Sequence, residues 1–249
     1  MTQTQPLLMS EMMKRQDPSQ VEGLMRFFKT GKGQYGEGDV FLGIKVPVTR
    51  GVVKSCWRDT TLADLDICMA SQYHEIRLAA LLCLIQMFRH AKNDPQAQKR
   101  HVDFYLGHTY GINNWDLVDL SCYELLGTYL LDKDRAILYD LAKNGKTLWE
   151  QRIGIVSTMQ FVRHGQNDDT FAIAETLLNH PHDLIHKAVG WLLREAGKRN
   201  EDELLAFLDR HHQTMPRTML RYAIERLSDE KKRHFMQRQR KISTFVATK

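Results

Sequence analysis

The chain has 249 residues, of which 43% are hydrophobic and 26% charged, a balance typical of a soluble globular protein with a substantial core. No apolar run approaches the roughly 18 residues of a membrane-spanning segment, and the N-terminus lacks the basic-then-apolar pattern of a signal peptide, so we expect a cytoplasmic protein. The formal charge is +5, and residues 217–241 carry nine Lys or Arg against three Asp or Glu, a local +6 that indicates either polyanion contact or a solvated helix end.

The predicted elements begin with an N-terminal helix and a Gly-rich loop, which together occupy residues 1–40. The loop is TGKGQYGEGD at 30–39, where the glycines mark turns. From residue 41 onward, apolar residues recur at intervals of three and four, as in LAALLCLIQMF, LWEQRIGIVSTMQFV and LIHKAVGWLLREA. Alternating β-branched runs are nearly absent. The sequence therefore predicts an all-α protein.

Several of the predicted helices start alike, with a basic residue in third place. These segments are EIRLAAL at 75–81, EQRIGIV at 150–156, IHKAVGW at 185–191 and MLRYAIE at 219–225, with the bases Arg77, Arg152, Lys187 and Arg221. The bases are 75, 35 and 34 residues apart, which indicates a repeat of about 35 residues with one divergent unit between the first two.

This repeat predicts an α-solenoid of helical hairpins over residues 41–230, followed by a basic C-terminal tail at 231–249, all in one domain. Equivalent bases on equivalent helices would form a row along one concave face. A concave basic face has the shape and charge to bind a nucleic-acid backbone.

The divergent unit contains NNWDLVDLS, and the run after it, CYELLGTYLL, is predicted to continue the same buried helix. On a helical wheel, Asp119 lies about 40° from Trp115 and points toward the apolar side. Asp116 belongs to the first turn beside an Asn113 or Asn114 cap, where a negative charge is expected. Asp119 therefore needs either a function or a partner, such as an arginine of the next repeat.

A second tryptophan lies in a basic stripe. The predicted core stripe of its helix is Ile185, Val189, Leu192 and Ala196. Trp191 lies at the edge of that stripe, between Lys187, Arg194 and Lys198. The alternative is a partly buried core edge with snorkelling neighbours, and the same alternative applies to Trp149.

The cysteines and histidines suggest no further chemistry. The four cysteines are Cys56, Cys68, Cys83 and Cys122. They lack a C-x-x-C pair and dense spacing, so we predict buried, reduced thiols. His182 and His186 have the i, i+4 spacing of helical metal ligands without a third candidate nearby, and we predict neither a metal nor a cofactor.

A basic surface, tryptophans and one inward carboxylate together suit a particular reaction. Purines alkylated at N3 or N7 are cationic, and their departure from DNA develops oxocarbenium charge on the deoxyribose. An enzyme for this step needs aromatic faces for cationic groups and a fixed carboxylate beside the sugar. The carboxylate would act like one of the pair used by glycosidases. On this interpretation Asp119 is catalytic and Trp115 lies one turn earlier on its face.

These residues resemble the AlkD-type DNA glycosylases of the DNA alkylation repair group, built from HEAT-like repeats. The resemblance covers most of the chain, and its specific parts are the W-D-x-V-D pattern and HKAVGWLLREAGK. It implies that Asp119 is the catalytic carboxylate, that Trp115 and Trp191 are active-site tryptophans, and that Arg152 contacts DNA. It also places Arg194 near the lesion cleft.

The resemblance further implies excision of 3-methyladenine and 7-methylguanine from duplex DNA without metal, cofactor or base flipping. Lys187 and Lys198 would add DNA contacts. Phe27 departs from the family, because an aromatic hydroxyl is expected near the first helix. It would stack against DNA or lie in the core.

Two other functions remain open at this point. One is a non-catalytic binder of distorted or branched DNA, although a carboxylate facing phosphates would weaken such binding. The other is a helical-repeat scaffold for protein partners. We expect a monomer whose partner is double-stranded DNA with alkylated purines, with no membrane association.

Overall fold

Helices make up the regular structure of residues 5–237, which are the residues that this computed structural model describes. Within that range there is no β-strand, and one isolated parallel bridge joins Val40 to Tyr73. The predicted all-α class is therefore confirmed. Across the same residues, no helix combines the length and the apolar character that crossing a membrane requires.

The chain divides into two compact units, Met1–Gln160 and Phe161–Lys249. The first unit contains α1 Leu7–Met13, α2 Pro18–Phe27, α3 Val46–Cys56, α4 Leu62–Met69, α5 His74–His90, α6 Pro95–Gly107, α7 Trp115–Asp119, α8 Ala136–Asn144 and α9 Leu148–Val156. It also has 3-10 turns at Trp57–Asp59 and Thr109–Gly111 and a π-helical turn at Tyr123–Gly127. Helix α10, Met159–Arg163, spans the boundary. The single domain predicted for residues 1–249 stays a prediction.

The second unit contains α11 Asp168–Thr176, α12 Asp183–Arg199, α13 Glu201–His211, α14 Arg217–Ala223 and α15 Asp229–Met236. Helix α12 packs against α13 and α14. The predicted core stripe of α12 is confirmed, since its four residues are fully buried. Part of the predicted tail is helical, because the Ser228 side chain caps the start of α15. Residues 238–249 of that tail lie outside the described residues.

The N-terminal region has two helices where the sequence predicts one. The break falls before Pro18, which begins α2, because proline disfavours helical backbone in the residue that precedes it. That residue, Asp17, is extended, and its carboxylate accepts the backbone N–H of Ser19 as an N-cap. The Gly-rich loop is confirmed, and Gly33 and Gly38 adopt positive φ there.

The core of the first unit is built on α5, most of whose residues are buried. Helices α1, α3, α4 and α6 pack on it. Helix α9 packs closely along α8 and also against α7. These contacts bring α5, α7 and α9 together, and these helices carry His74, Asp119 and Arg152. All four cysteines are buried and free, as predicted.

The helix predicted to run from NNWDLVD into CYELLGTYLL is interrupted. Helix α7 ends at Asp119, and a π-helical turn follows at Tyr123–Gly127. The Ser121 hydroxyl lies between them and donates to the carbonyl of Leu117, a side-chain bond that competes with regular helical pairing. The expectation of one continuous helix is therefore wrong.

The four repeat bases lie on α5, α9, α12 and α14. Arg77 and Lys187 are near the starts of their helices, whereas Arg152 is in the middle of α9. Arg221 is in the last turn of α14, so the expected common position near a helix start does not hold for it.

The environments of the four bases differ. Arg77 is buried and donates to Asp39, to Asn113 and to the carbonyl of Ser71. The expectation that Arg77 contributes to an accessible row of bases is therefore wrong, because its guanidinium is held inside the first unit.

Candidate functional site

Asp119 is the last residue of α7 and forms a bidentate ion pair with Arg152 of α9. Arg152 donates from Nε to Oδ1 at 2.8 Å and from Nη2 to Oδ2 at 2.7 Å. The side chains of Arg152 and Asp119 are 6% and 16% exposed. The pairing of Asp119 with an arginine, left open by the sequence, is present. Its fork geometry holds the carboxylate in one orientation while part of it stays accessible.

Local sequence explains this placement. Asn114 caps α7, with its side-chain oxygen accepting the backbone N–H of Trp115, so one of the two predicted caps is confirmed. Thr147 caps α9 by accepting the N–H of Glu150. Each helix therefore starts at a fixed residue, which sets where Asp119 and Arg152 project.

Opposing effects act on the ionisation of Asp119. Burial raises the pKa of the Asp119 carboxyl, while the Arg152 guanidinium lowers it and the nearby Asp116 carboxylate raises it further. Burial prevails, so the pKa lies above the ordinary value for aspartate. The charge on Asp119 thus depends on its burial first and on its charged neighbours second.

A mostly apolar cavity of about 380 Å³ opens beside this ion pair in the first unit. Its lining includes Leu24, Phe27, Phe28, Phe41, Ile44, Lys45, Pro47, His74, Leu78, Trp115, Asp116, Asp119 and Leu120. Phe28 stacks on Trp115 with ring centroids 5.6 Å apart, and Phe27 meets the Trp115 ring edge-on at 5.8 Å. The cavity therefore places a carboxylate next to aromatic faces, which suits a cationic or planar ligand.

Phe27 is 60% exposed, at the rim of this cavity. The alternative of a core position for Phe27 is therefore wrong. An exposed phenyl ring beside Trp115 can stack on a ligand but donates no hydrogen bond.

A buried polar network lies behind the cavity. His74, the first residue of α5, is 1% exposed. Its Nδ1 lies 2.8 Å from Oδ2 of Asp39, and its Nε2 lies 2.8 Å from Oδ2 of Asp116. These two carboxylates raise the pKa of His74 to about 9, although burial alone would lower it. The Arg77 guanidinium donates to Oδ1 of Asp39.

The same region fixes the chain that leads into α3. The buried Glu75 carboxylate accepts the backbone N–H groups of Leu42, Gly43 and Ile44 at 2.9–3.1 Å. Gly43 has φ 85°, and a Cβ there would collide with the backbone of Asp17. Only glycine fits this position, so one wall of the cavity is set by backbone.

In the second unit, Trp191 is half-buried on α12, in agreement with a position at the edge of its core stripe. The bases around it all have acidic partners. Lys187 pairs with Asp183 at 2.7 Å, Lys198 with Glu195 at 2.8 Å, and Arg194 with Glu195 and Glu225. The stripe is therefore less cationic than its sequence indicates.

The paired histidines at the start of α12 have local roles. His182 is the N-cap, and its Nδ1 accepts the backbone N–H of Leu184 at 3.1 Å. His186 donates from Nε2 to the carbonyl of His180. Their i, i+4 spacing thus follows from capping the helix start.

Sequence reasoning identified Asp119, Trp115 and Arg152, which the structure brings together. It missed His74 and Asp39, and it assigned Asp116 only a dipole role. His74 is 35 positions from Asp39 and 42 from Asp116, and no local spacing connects them. The available signal was His74 itself, which with Glu75 and Arg77 precedes the apolar run at 78–85.

Comparisons with known proteins agree with this description. The sequence model of the family described as DNA alkylation repair enzyme matches residues 8–227. A solved structure described as a predicted DNA alkylation repair enzyme from Enterococcus faecalis has the same fold, with a TM-score of 0.69 over 86% of this chain and 98% of that one, at 15% identity. No curated protein matches the sequence. The chain belongs to the DNA alkylation repair enzyme family.

Proposed function

We propose that this chain is a DNA N-glycosylase that hydrolyses the N-glycosidic bond of cationic alkylpurines, such as 3-methyladenine and 7-methylguanine, in duplex DNA. Its family establishes the coarser role in DNA alkylation repair. The observation that carries the finer proposal is the Asp119–Arg152 pair at the aromatic cavity. The proposed reaction leaves the damaged nucleotide stacked and needs no cofactor.

The chemistry assigns a role to each group. The bond from C1′ to the purine nitrogen breaks with its electron pair leaving on the base, so the cationic base departs neutral. The deoxyribose becomes an oxocarbenium ion, and the Asp119 carboxylate stabilises it. Water then adds to C1′ and loses one proton to the surrounding water. Arg152 holds Asp119 in place, and Trp115 presents its face to the cationic nucleotide.

The remaining predicted contacts belong to the same proposal. Trp191, Arg194, Lys187 and Lys198 of the second unit would hold the duplex, with Phe27 stacking at the cavity rim. Because acidic side chains already pair with the three bases, each DNA contact must displace an ion pair. Their contribution to affinity is therefore smaller than that of free bases.

The test is release of free base from a duplex with one 7-methylguanine under single-turnover conditions, comparing the wild type with Asp119→Asn. Asparagine keeps the shape and loses the charge, so we expect duplex affinity to be retained and the excision rate to fall by a factor of at least about 100. Glu22→Gln, which removes an exposed carboxylate from α2, is the control and should excise at the wild-type rate.

Equal excision by wild type and Asp119→Asn would remove the proposed mechanism. If neither protein releases base while duplex binding remains salt-sensitive, the chain is a binder of DNA structure that does not use this site on the lesion. Binding insensitive to salt would instead favour a protein-interaction scaffold.

A further inference from the structure

The site contains a charged group for which the proposed reaction has no direct use. Both ring nitrogens of His74 lie 2.8 Å from carboxylate oxygens, one of Asp39 and one of Asp116. An ionised carboxylate only accepts hydrogen bonds, whereas a neutral imidazole has one donor and one acceptor. Two contacts with ionised carboxylates are satisfied together when both nitrogens donate, so the geometry points to an imidazolium.

This cation is built into the wall of the cavity. Its ring packs against both Phe41 and Phe28, with centroids 4.7 and 4.9 Å away, and Phe28 in turn stacks on Trp115. His74, Asp116 and Asp119 line the same cavity. The Asp116 carboxylate therefore links the imidazolium to the region of Asp119.

Asp116 is the connection between the two. It is 4% exposed and lies three residues before Asp119 on the five-residue helix α7. One of its oxygens binds His74, while the other has no hydrogen-bond partner. An uncompensated negative charge at this position would oppose ionisation of Asp119.

We propose that His74 is a positioning residue of the glycosylase reaction, which offsets the charge of Asp116 so that Asp119 stays ionised while Arg152 holds it in place. This inference rests on the proposed function. His74 acts through Asp116 and does not touch the substrate.

Other charged and titratable groups also face these residues. The groups around His74 are Asp39, Asp116 and Glu75, and Arg77 is linked to it through Asp39. The groups around Asp119 are Arg152, Asp116, Tyr105 and Cys122, and Lys45 lines the same cavity. Arg152 compensates Asp119 and Arg77 compensates Asp39. Among these pairings, Asp116 relies on His74.

The experiment measures the single-turnover excision rate between about pH 4.5 and pH 8 for the wild type, three variants and one control variant. The acid limb of the pH–rate profile is the range in which the rate falls because Asp119 gains its proton. In His74→Gln, loss of the cation should move this limb upward by about one pH unit, so that the rate on it falls about tenfold. Asp116→Asn should move the limb downward, because it removes a like charge. The double variant His74→Gln/Asp116→Asn removes both charges and should return the limb toward the wild-type position.

His90→Gln is the matched control, because His90 is an exposed histidine at the other end of α5. Its acid limb should coincide with that of the wild type. A merely structural role for His74 predicts a lower rate at every pH with an unmoved limb, and it predicts a double variant at least as impaired as either single one. Either result overturns the proposal. If His74→Gln does not fold, the ¹⁵N spectrum of the wild-type His74 ring decides instead, because loss of the Asp116 charge lowers the limb whether or not His74 is protonated.

A readout independent of activity is the ¹⁵N spectrum of the His74 ring. Both nitrogens should keep the shifts of a protonated imidazolium at pH 7.5, where an exposed histidine is neutral. A neutral tautomer at that pH overturns the proposal. If the wild type releases no base, the proposed function fails, while this spectrum still shows whether the buried cation exists.

Discussion

At the scale of single residues, some groups of the site can be predicted from the sequence and others cannot. A carboxylate on the apolar side of a helix needs either a function or a partner, and this reasoning singled out Asp119 and left its pairing with an arginine of the next repeat as one of the two alternatives. His74 could not be predicted in the same way. Its partners come from a loop and from α7, and such contacts depend on tertiary packing.

The ion pair at the site should contribute to stability. Arg152→Gln leaves the Asp119 carboxylate largely buried without its partner, so we expect the free energy of unfolding to fall by about 2–4 kcal/mol. The double variant Asp119→Asn/Arg152→Gln should lose less than the sum of the single variants. Urea denaturation measures all three.

The control for this cycle is Arg26→Gln. Arg26 pairs with Glu22 on the surface of α2, where both side chains are largely exposed, and its loss should change stability by less than about 0.5 kcal/mol. Strict additivity in the Asp119–Arg152 cycle would show that the two residues do not interact.

At the scale of elements, most helices were predictable because apolar periodicity decides them, whereas their ends and breaks depend on individual side chains. Pro18 and Asp17 divide the N-terminal helix, a division that the sequence does signal. The break after α7 has a less visible cause. Ser121 sits at the break, and the following π-helical turn packs Gly127 against the backbone of Ser157, a contact with no sequence signature.

Helix α9 holds Arg152 at the correct distance through a close backbone approach. A Cβ at Gly154 would lie 2.7 Å from the backbone of both Leu138 and Ala142 on α8. Gly154→Ala should therefore destabilise the protein by about 1–3 kcal/mol and reduce excision, because α9 must shift. Thermal denaturation and single-turnover kinetics test both effects.

Gly51 provides the opposite case. It lies within α3, and a Cβ there would meet nothing within 4 Å. Gly51→Ala should stabilise the protein by about 0.5–1 kcal/mol, because alanine has the higher helix propensity. Destabilisation by both alanines to the same extent would contradict the packing argument for α8 and α9.

At the scale of the whole molecule, composition and periodicity predicted the class and the resemblance predicted the family, while the charge pattern predicted less. The bases of the repeat recur as expected, but Arg77 and Arg152 are buried in ion pairs and Lys187 has an acidic neighbour. A count of basic residues along the sequence overestimates the positive charge of the surface, because folding places carboxylates next to these bases. The predicted concave basic face thus remains a prediction.

Folding stability should depend on pH through His74. Its pKa rises from the ordinary 6.5 to about 9 on folding, so its stabilising contribution is complete below about pH 6.5 and is lost as the pH rises through about 9. We expect a loss on the order of 3 kcal/mol across this window. Denaturation at a series of pH values should show this decline in the wild type and a flatter profile in His74→Gln.

Low pH should also reduce the stability that this network contributes, through protonation of Asp39. Hydrogen bonding from His74 and the charge of Arg77 lower the pKa of Asp39 despite its burial. The contribution of Asp39 is therefore present above its ordinary pKa and declines as the pH falls through the lowered value. Unfolding free energies that stay constant from pH 6.5 down to 3 would contradict this.

The linked side chains of Asp39, His74 and Asp116 also constrain how this sequence can diverge. A single replacement leaves a buried charge without its counterpart, whereas the loss of His74 together with Asp116 removes a neutral pair. We therefore expect lineages of this protein to change positions 74 and 116 jointly. Covariation of these two positions among related sequences would be evidence of their electrostatic contact.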